Sequence, residues 1–172
     1  MKQRNETGPK GRDRQEYIAL LDAHGGAVLA TLRRLCGNHH DADDLFQETA
    51  VRVWRTFESR PWLRSPRAWL ITIAYRTFLD DRKRVRHSGS ASQVEVVDYR
   101  AESPTGGLEH AETCNELNQQ IDKLAPDIRQ VITLHYMGGL TIRQTAAAME
   151  TSVAITKNRL HAALKQLRSA LK

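Results

Sequence analysis

The chain has 172 residues, room for one domain or two small ones, and its 26 Lys and Arg exceed its 20 Asp and Glu by six. That balance favours a polyanionic partner without naming one. No apolar run approaches the ~18 residues of a membrane span, the charged start lacks a signal peptide's apolar core, and Cys36 and Cys114 stand in no metal-ligand spacing, so a soluble, cytoplasmic protein with free thiols and no metal or other cofactor is expected.

Residues 1–14 are charged and contain Gly and Pro, and they are predicted to be a disordered arm. From Gln15 to Cys36, Tyr17, Leu20, Leu21, Val28, Leu32 and Leu35 keep helical spacing. Gly25-Gly26 is expected to kink or split that run, and Gly37 to end it. Asp41 is the candidate cap of the next helix, whose apolar face is Leu45, Phe46, Ala50, Val53, Trp54 and Phe57. Opposite them stand Asp43, Asp44, Gln47 and Glu48, ahead of the first basic residue, Arg52. An acidic first turn is ordinary helix chemistry. On a basic protein it is also an anionic patch poorly placed for DNA and well placed for a basic protein surface. A loop over 58–65 carries Trp62 and Leu63, which either plug the core or line a ligand pocket.

The third helix is predicted over Pro66–His87, with proline at its first position. Leu70, Ile73, Ala74, Thr77 and Phe78 share one side; Thr72, Arg76, Asp80 and Lys83 line up on the other. Trp69 and Tyr75 border that second stripe, and Arg82, Lys83, Arg84 and Arg86 close it. Rings beside guanidinium groups can take phosphates and stack on unpaired bases. The plainer alternative is a core helix with cations in its last turn to suit its dipole.

Residues 88–107 hold Ser, Gly, Pro and scattered acids without an apolar period, and read as a flexible linker between two domains, 15–87 and 108–172. Helical spacing returns at Leu108 and runs to Leu124; Pro126 opens another helix, which Gly138-Gly139 stops. Thr141 with Gln144 is a capping-box pattern for a short helix through Met149. After a tight turn at Glu150-Thr151, Ser152 caps a last helix, and the pair matches a helix-turn-helix. That last segment has no Asp or Glu and carries Lys157, Arg159, Lys165, Arg168 and Lys172, so it would be drawn to DNA phosphates with its first residues aimed into a major groove.

DADDLFQET at 41–49, WLITIAYRTFLDDRKR at 69–84, LAPDIRQVITLHYMGGLTIRQTAAAM at 124–149 and the TKNRLH helix follow one another in an order that resembles a bacterial RNA polymerase sigma factor of the extracytoplasmic-function (ECF) class. Region 2 of that family is similar to residues 24–87, and region 4 to residues 117–172. The resemblance implies an all-α protein of two small helical domains, a region 2 bundle and a region 4 helix-turn-helix, joined by a flexible linker. It implies a monomer when free that binds core RNA polymerase, at the largest-subunit clamp helices and the flap, and directs it to promoter DNA, and that an anti-sigma factor holds inactive. Asp43, Asp44, Gln47 and Glu48 would grip the clamp helices. Phe57, Trp62, Tyr75, Arg76 and Asp80 would capture bases of the melted −10 element, while Lys83, Arg84 and Arg86 hold adjacent backbone. Lys157, Asn158 and His161 would meet the −35 element, with Arg159 and Ser152 nearer phosphates. Two departures stand out. Glu150 and Thr151 replace the family's turn glycine and apolar residue, so either Glu150 takes a strained positive φ or the turn differs slightly, and Ala162 and Leu164 replace two basic residues.

Three other functions compete. A sigma-like decoy that binds only an anti-sigma factor should lose the basic residues, which are largely retained. A helix-turn-helix regulator that is not a sigma factor leaves the acidic patch and the 66–87 helix without a purpose. For an enzyme, Asp43/Asp44 and Asp80/Asp81 are carboxylate pairs, but neighbours on a helix point about 100° apart, and no phosphate loop, nucleophile elbow or zinc spacing appears. No catalytic residue is expected.

Overall fold

The computed structural model describes residues 11–57, 65–87 and 108–171. The chain divides into two compact units, between Ala91 and Ser92. Among the described residues all regular structure is helical.

In the first unit α1 (Gly11–Cys36), α2 (His39–Thr56) and α3 (Pro66–His87) each pack against the other two. Val28, Leu32, Val53, Phe57, Leu70, Ile71 and Ala74 are almost wholly removed from water and form the core. Tyr17 ties α1 to α2: its hydroxyl donates to the Ala50 carbonyl at 3.0 Å and its ring meets Trp54 edge-on at 4.8 Å. Buried threonines add no unsatisfied hydroxyl, since Thr31, Thr49 and Thr77 donate to the carbonyls of Ala27, Leu45 and Ile73 one turn back.

Several local expectations change. α1 begins at Gly11, so residues 11–14 belong to a helix and not to a disordered arm. It also runs unbroken through Gly25-Gly26. A mid-helix glycine costs about 1 kcal/mol, which tertiary packing outweighs. The Phe46 ring packs over Gly25, where an added Cβ would lie at 3.4 Å, ordinary contact distance. The α2 cap is Asn38, not Asp41. The Asn38 side chain accepts from the Asp41 N–H at 2.7 Å and donates to the Asp41 carboxylate at 2.8 Å. Gly37, at φ 78, ends α1 as expected.

In the second unit α4 (Leu108–Asp122) precedes α5 (Pro126–Ile132), which continues into a π-helical turn over Thr133–Met137. Gly139 at φ 73 and the Leu140 N–H bonded to the Leu134 carbonyl at 3.1 Å turn the chain. α6 (Ile142–Ala148) opens with both halves of the Thr141/Gln144 capping box in place. Glu150 takes φ 52, the left-handed region that its family position favours for glycine. α7 (Val153–Ala170) starts from Ser152, whose Oγ accepts from the Ile155 N–H at 3.1 Å. Leu124, Val131, Ile132, Leu160, Ala163 and Leu167 form this unit's core, with Leu117, Ile121, Ile128 and Leu164 packed on it.

Candidate functional site

In the first unit, Asp43, Asp44 and Gln47 are exposed on the outer face of α2, and Glu48 is half-buried beside them. Asp43 lies 3.6 Å from Arg33, and Asp44 lies 3.8 Å from His40, a partner only when that imidazole is protonated. Glu48 accepts from Arg52 at 2.7 Å and from Arg84 at 3.0 Å, and Arg52 in turn donates to Asp80 at 2.7 Å. Burial resists ionisation of Glu48, but the hydrogen bonds and charges of Arg52 and Arg84 hold its carboxyl below the usual range. The hydrogen bond that Arg52 donates to Asp80 raises the Arg52 pKa further. A carboxylate expected on the polymerase side and two groups expected on the DNA side, Asp80 and Arg84, therefore share one ionic network across α2 and α3.

The expected −10 residues separate into three groups. Arg76, Lys83 and Arg86 are exposed on α3 and can reach a nucleic acid. Phe57 and Tyr75 cannot. Phe57 is fully buried with its ring edge-on to Tyr17, and Tyr75 is 2% exposed and stacked near Phe78. Neither ring keeps a face for a base, against the expected −10 role: Tyr75 is in the core because the inward side of α3 is broader than one stripe and takes in Ile71 and Tyr75, and Phe57 because it closes the apolar face of α2. Trp62 lies outside the described residues. Arg82 is also structural: it donates to the Cys36 carbonyl at 3.2 Å and sits over the Phe78 ring at 5.3 Å.

Sequence reasoning missed two cationic residues. Arg52 and Arg55 from α2 line, with Arg76, Thr56 and Ile73, an open recess of about 260 Å³. The wall of this recess is almost wholly apolar, made by Ile73 and the carbon stems of the arginines, so it can take the face of an unpaired base, while the Arg52 guanidinium is held by Glu48 and Asp80. The i, i+3 spacing of Arg52 and Arg55 was visible; their approach to Arg76, over twenty positions away, is a product of the fold. A second recess of about 390 Å³ between α1 and α2 is lined by Arg14, Tyr17, Ile18, Ala50, Val51 and Trp54. Val51 falls one turn beyond Gln47 and two beyond Asp44, so it extends the α2 stripe with apolar surface.

In the second unit Ser152, Lys157, Asn158 and His161 are exposed along the start of α7. Arg159 is diverted, since it donates to Asp127 of α5 at 2.6 Å. Ser152 spends its hydroxyl on capping. Leu164, where a basic residue was the family pattern, packs on the core.

Cys36 is buried, and burial, reinforced by Asp41 and Asp81 and opposed by Arg82, pushes its thiol up to about 12. It is no nucleophile. Among the described residues, no helix is long and apolar enough to cross a membrane.

Residues 20–88 match the family model for sigma-70 region 2, and residues 114–167 match that for sigma-70 region 4. The chain belongs to the ECF class of the sigma-70 family. The ECF sigma factor SigL of Mycobacterium tuberculosis is 31% identical over 163 residues, covering 89% of this chain and 87% of that one. SigE of Mycolicibacterium smegmatis is 29% identical over 156 residues, and the match spans 88% of this chain but 60% of SigE. Among solved structures, the sigma factor RpoE of Bartonella quintana, in complex with the anti-sigma factor NepR, superposes with a TM-score of 0.70 at 25% identity, covering 92% of this chain and 95% of that one. Membership of this family makes the chain an alternative sigma factor, a transcription-initiation protein and not an enzyme. The first unit is its region 2 and the second its region 4.

Proposed function

We infer that this sigma factor works in the cytoplasm, docks on core RNA polymerase through the outer face of α2, and directs it to one class of promoters. Asp43, Asp44 and Gln47, with Glu48 behind them and Val51 beside them, meet the basic surface of the largest-subunit clamp. Region 2 opens the −10 element. Flipping a base costs a few kcal/mol, and a recess that stacks and hydrogen-bonds it returns a similar amount, so no covalent chemistry is needed. Arg76 and Arg55 hold the base or its phosphate beside the apolar recess, Arg52 ties that edge to Glu48 and Asp80, and Lys83 and Arg86 hold the neighbouring backbone. Region 4 reads the −35 duplex through Lys157, Asn158 and His161 on α7.

The observation that carries this reading is the closeness, within one small helical unit, of an acidic edge on α2 and a three-arginine recess between α2 and α3. A decoy or a plain helix-turn-helix regulator has no use for both. An anti-sigma factor is proposed as a further partner, supported by the NepR complex of the Bartonella quintana relative. Run-off transcription with purified core enzyme on genomic fragments tests the reading. Added protein should create start sites that core alone lacks, and no new start sites would refute it. The anti-sigma proposal fails if the protein is recovered from uninduced native cells without a stoichiometric partner.

A further inference from the structure

α7 enters its unit's surface with an apolar tip. Val153, Ala154 and Ile155 are consecutive and exposed, Val153 at 38% and Ile155 at 46%. The inward side of this helix is supplied by Thr156, Leu160, Ala163 and Leu167, so none of the three is needed for the core. Successive residues turn by about 100°, and three of them clothe most of the helix end. The Ser152 cap fixes that end, and the helix behind it holds Lys157, Arg159, Lys165 and Arg168 with no acid at all. Isolated exposed apolar residues are commonplace. Three in a row, at the end of a helix-turn-helix that meets base edges and on a helix charged for phosphate, are a recognition surface.

We propose that Val153, Ala154 and Ile155 make region 4 selective for thymine in the −35 element, by packing on thymine C5-methyl groups in the major groove. Thymine alone of the four bases offers a methyl there, whereas the other edges are donors and acceptors that an apolar side chain would strip of water unpaired. Lys157 and the cations behind it set affinity; the apolar tip sets which base pair is accepted. This rests on the reading of region 4 as the −35 reader.

The test uses holoenzyme, the full chain with core polymerase, on a promoter fragment from the run-off assay. Each −35 thymine, on either strand, is replaced in turn by uracil, which removes only the methyl group. Wild-type holoenzyme should bind the uracil fragment about fourfold more weakly at one or more positions, the worth of one buried methyl group. Val153→Ala or Ile155→Ala should bring that ratio to about one while Lys157→Ala leaves it unchanged. Equal binding of thymine and uracil fragments at every position overturns the proposal, as does a ratio that neither alanine variant alters. If holoenzyme initiates but gives no protection of the −35 duplex, the −35 reading itself fails and takes this proposal with it.

Discussion

Regions 2 and 4 carry opposite solutions to the use of charge. Region 2 sets cations against carboxylates: Glu48, Arg52, Asp80 and Arg84 form one chain of ion pairs between α2 and α3. Region 4 sets its α7 cations along a helix with no acid of its own, and among the described residues Arg159 alone of them forms an ion pair, with Asp127 of α5. A compensated network can serve two partners because an approaching polymerase or phosphate redistributes contacts that already exist. A single-signed helix serves one partner, and its effects are additive and salt-dependent.

The sharpest way to break the comparison is to unfold one unit and inspect the other. Phe57 is fully buried in the region 2 core, so Phe57→Ala should destabilise region 2 by about 3–5 kcal/mol. Amide-exchange protection in α5–α7 should be unchanged; loss of protection in both units would show that the two bodies are not independent. Lys157→Ala comes next. It should weaken −35 binding uniformly and lower the slope of log affinity against log salt by about one. Arg84→Ala should change that slope less, since in the free protein its charge is already spent on Glu48. Titrations of binding against salt would separate the two.

Glu150→Gly sharpens the account of the region 4 turn. A left-handed non-glycine residue costs roughly 1–2 kcal/mol, partly offset by glycine's greater unfolded-state freedom, so region 4 should gain up to about 1 kcal/mol in thermal unfolding. The smallest effect is that of pH on region 2. Because the folded Glu48 pKa is depressed, the stability it lends is fully present above its unfolded value of about 4.3 and is lost as pH falls through the lower folded value. For a partly exposed pair this amounts to no more than about 1 kcal/mol. Unfolding midpoints measured from pH 6 down to pH 3 should fall less steeply in Glu48→Gln than in wild type.

Helix periodicity, the capping box at Thr141/Gln144 and the Ser152 cap were legible because each is a local property of a few residues; the positive φ at Glu150 was one of two alternatives that the family resemblance left open. The acidic edge of α2 and the basic start of α7 were legible for the same reason. What could not be read was pairing across elements. Arg52 and Arg55 reach Arg76 only once α2 lies on α3, and the same packing turns Tyr75 inward; Phe57 was legible as part of the apolar face of α2. Gly25-Gly26 misled because propensity points to a break, while the packing of α1 on α2 and α3, with Leu20 and Val28 buried on either side of the glycines, outweighs it. Asn38 displaced Asp41 as the cap since both are good capping residues and only backbone geometry selects between them.

The division of labour itself is tested most directly by run-off transcription from one promoter with Asp44→Arg and Lys157→Ala, each titrated against core enzyme and against template. The account predicts that excess core restores Asp44→Arg and excess template restores Lys157→Ala, with neither cross-rescued. If both variants respond alike to both titrations, polymerase docking and −35 reading are not separate functions of the two units.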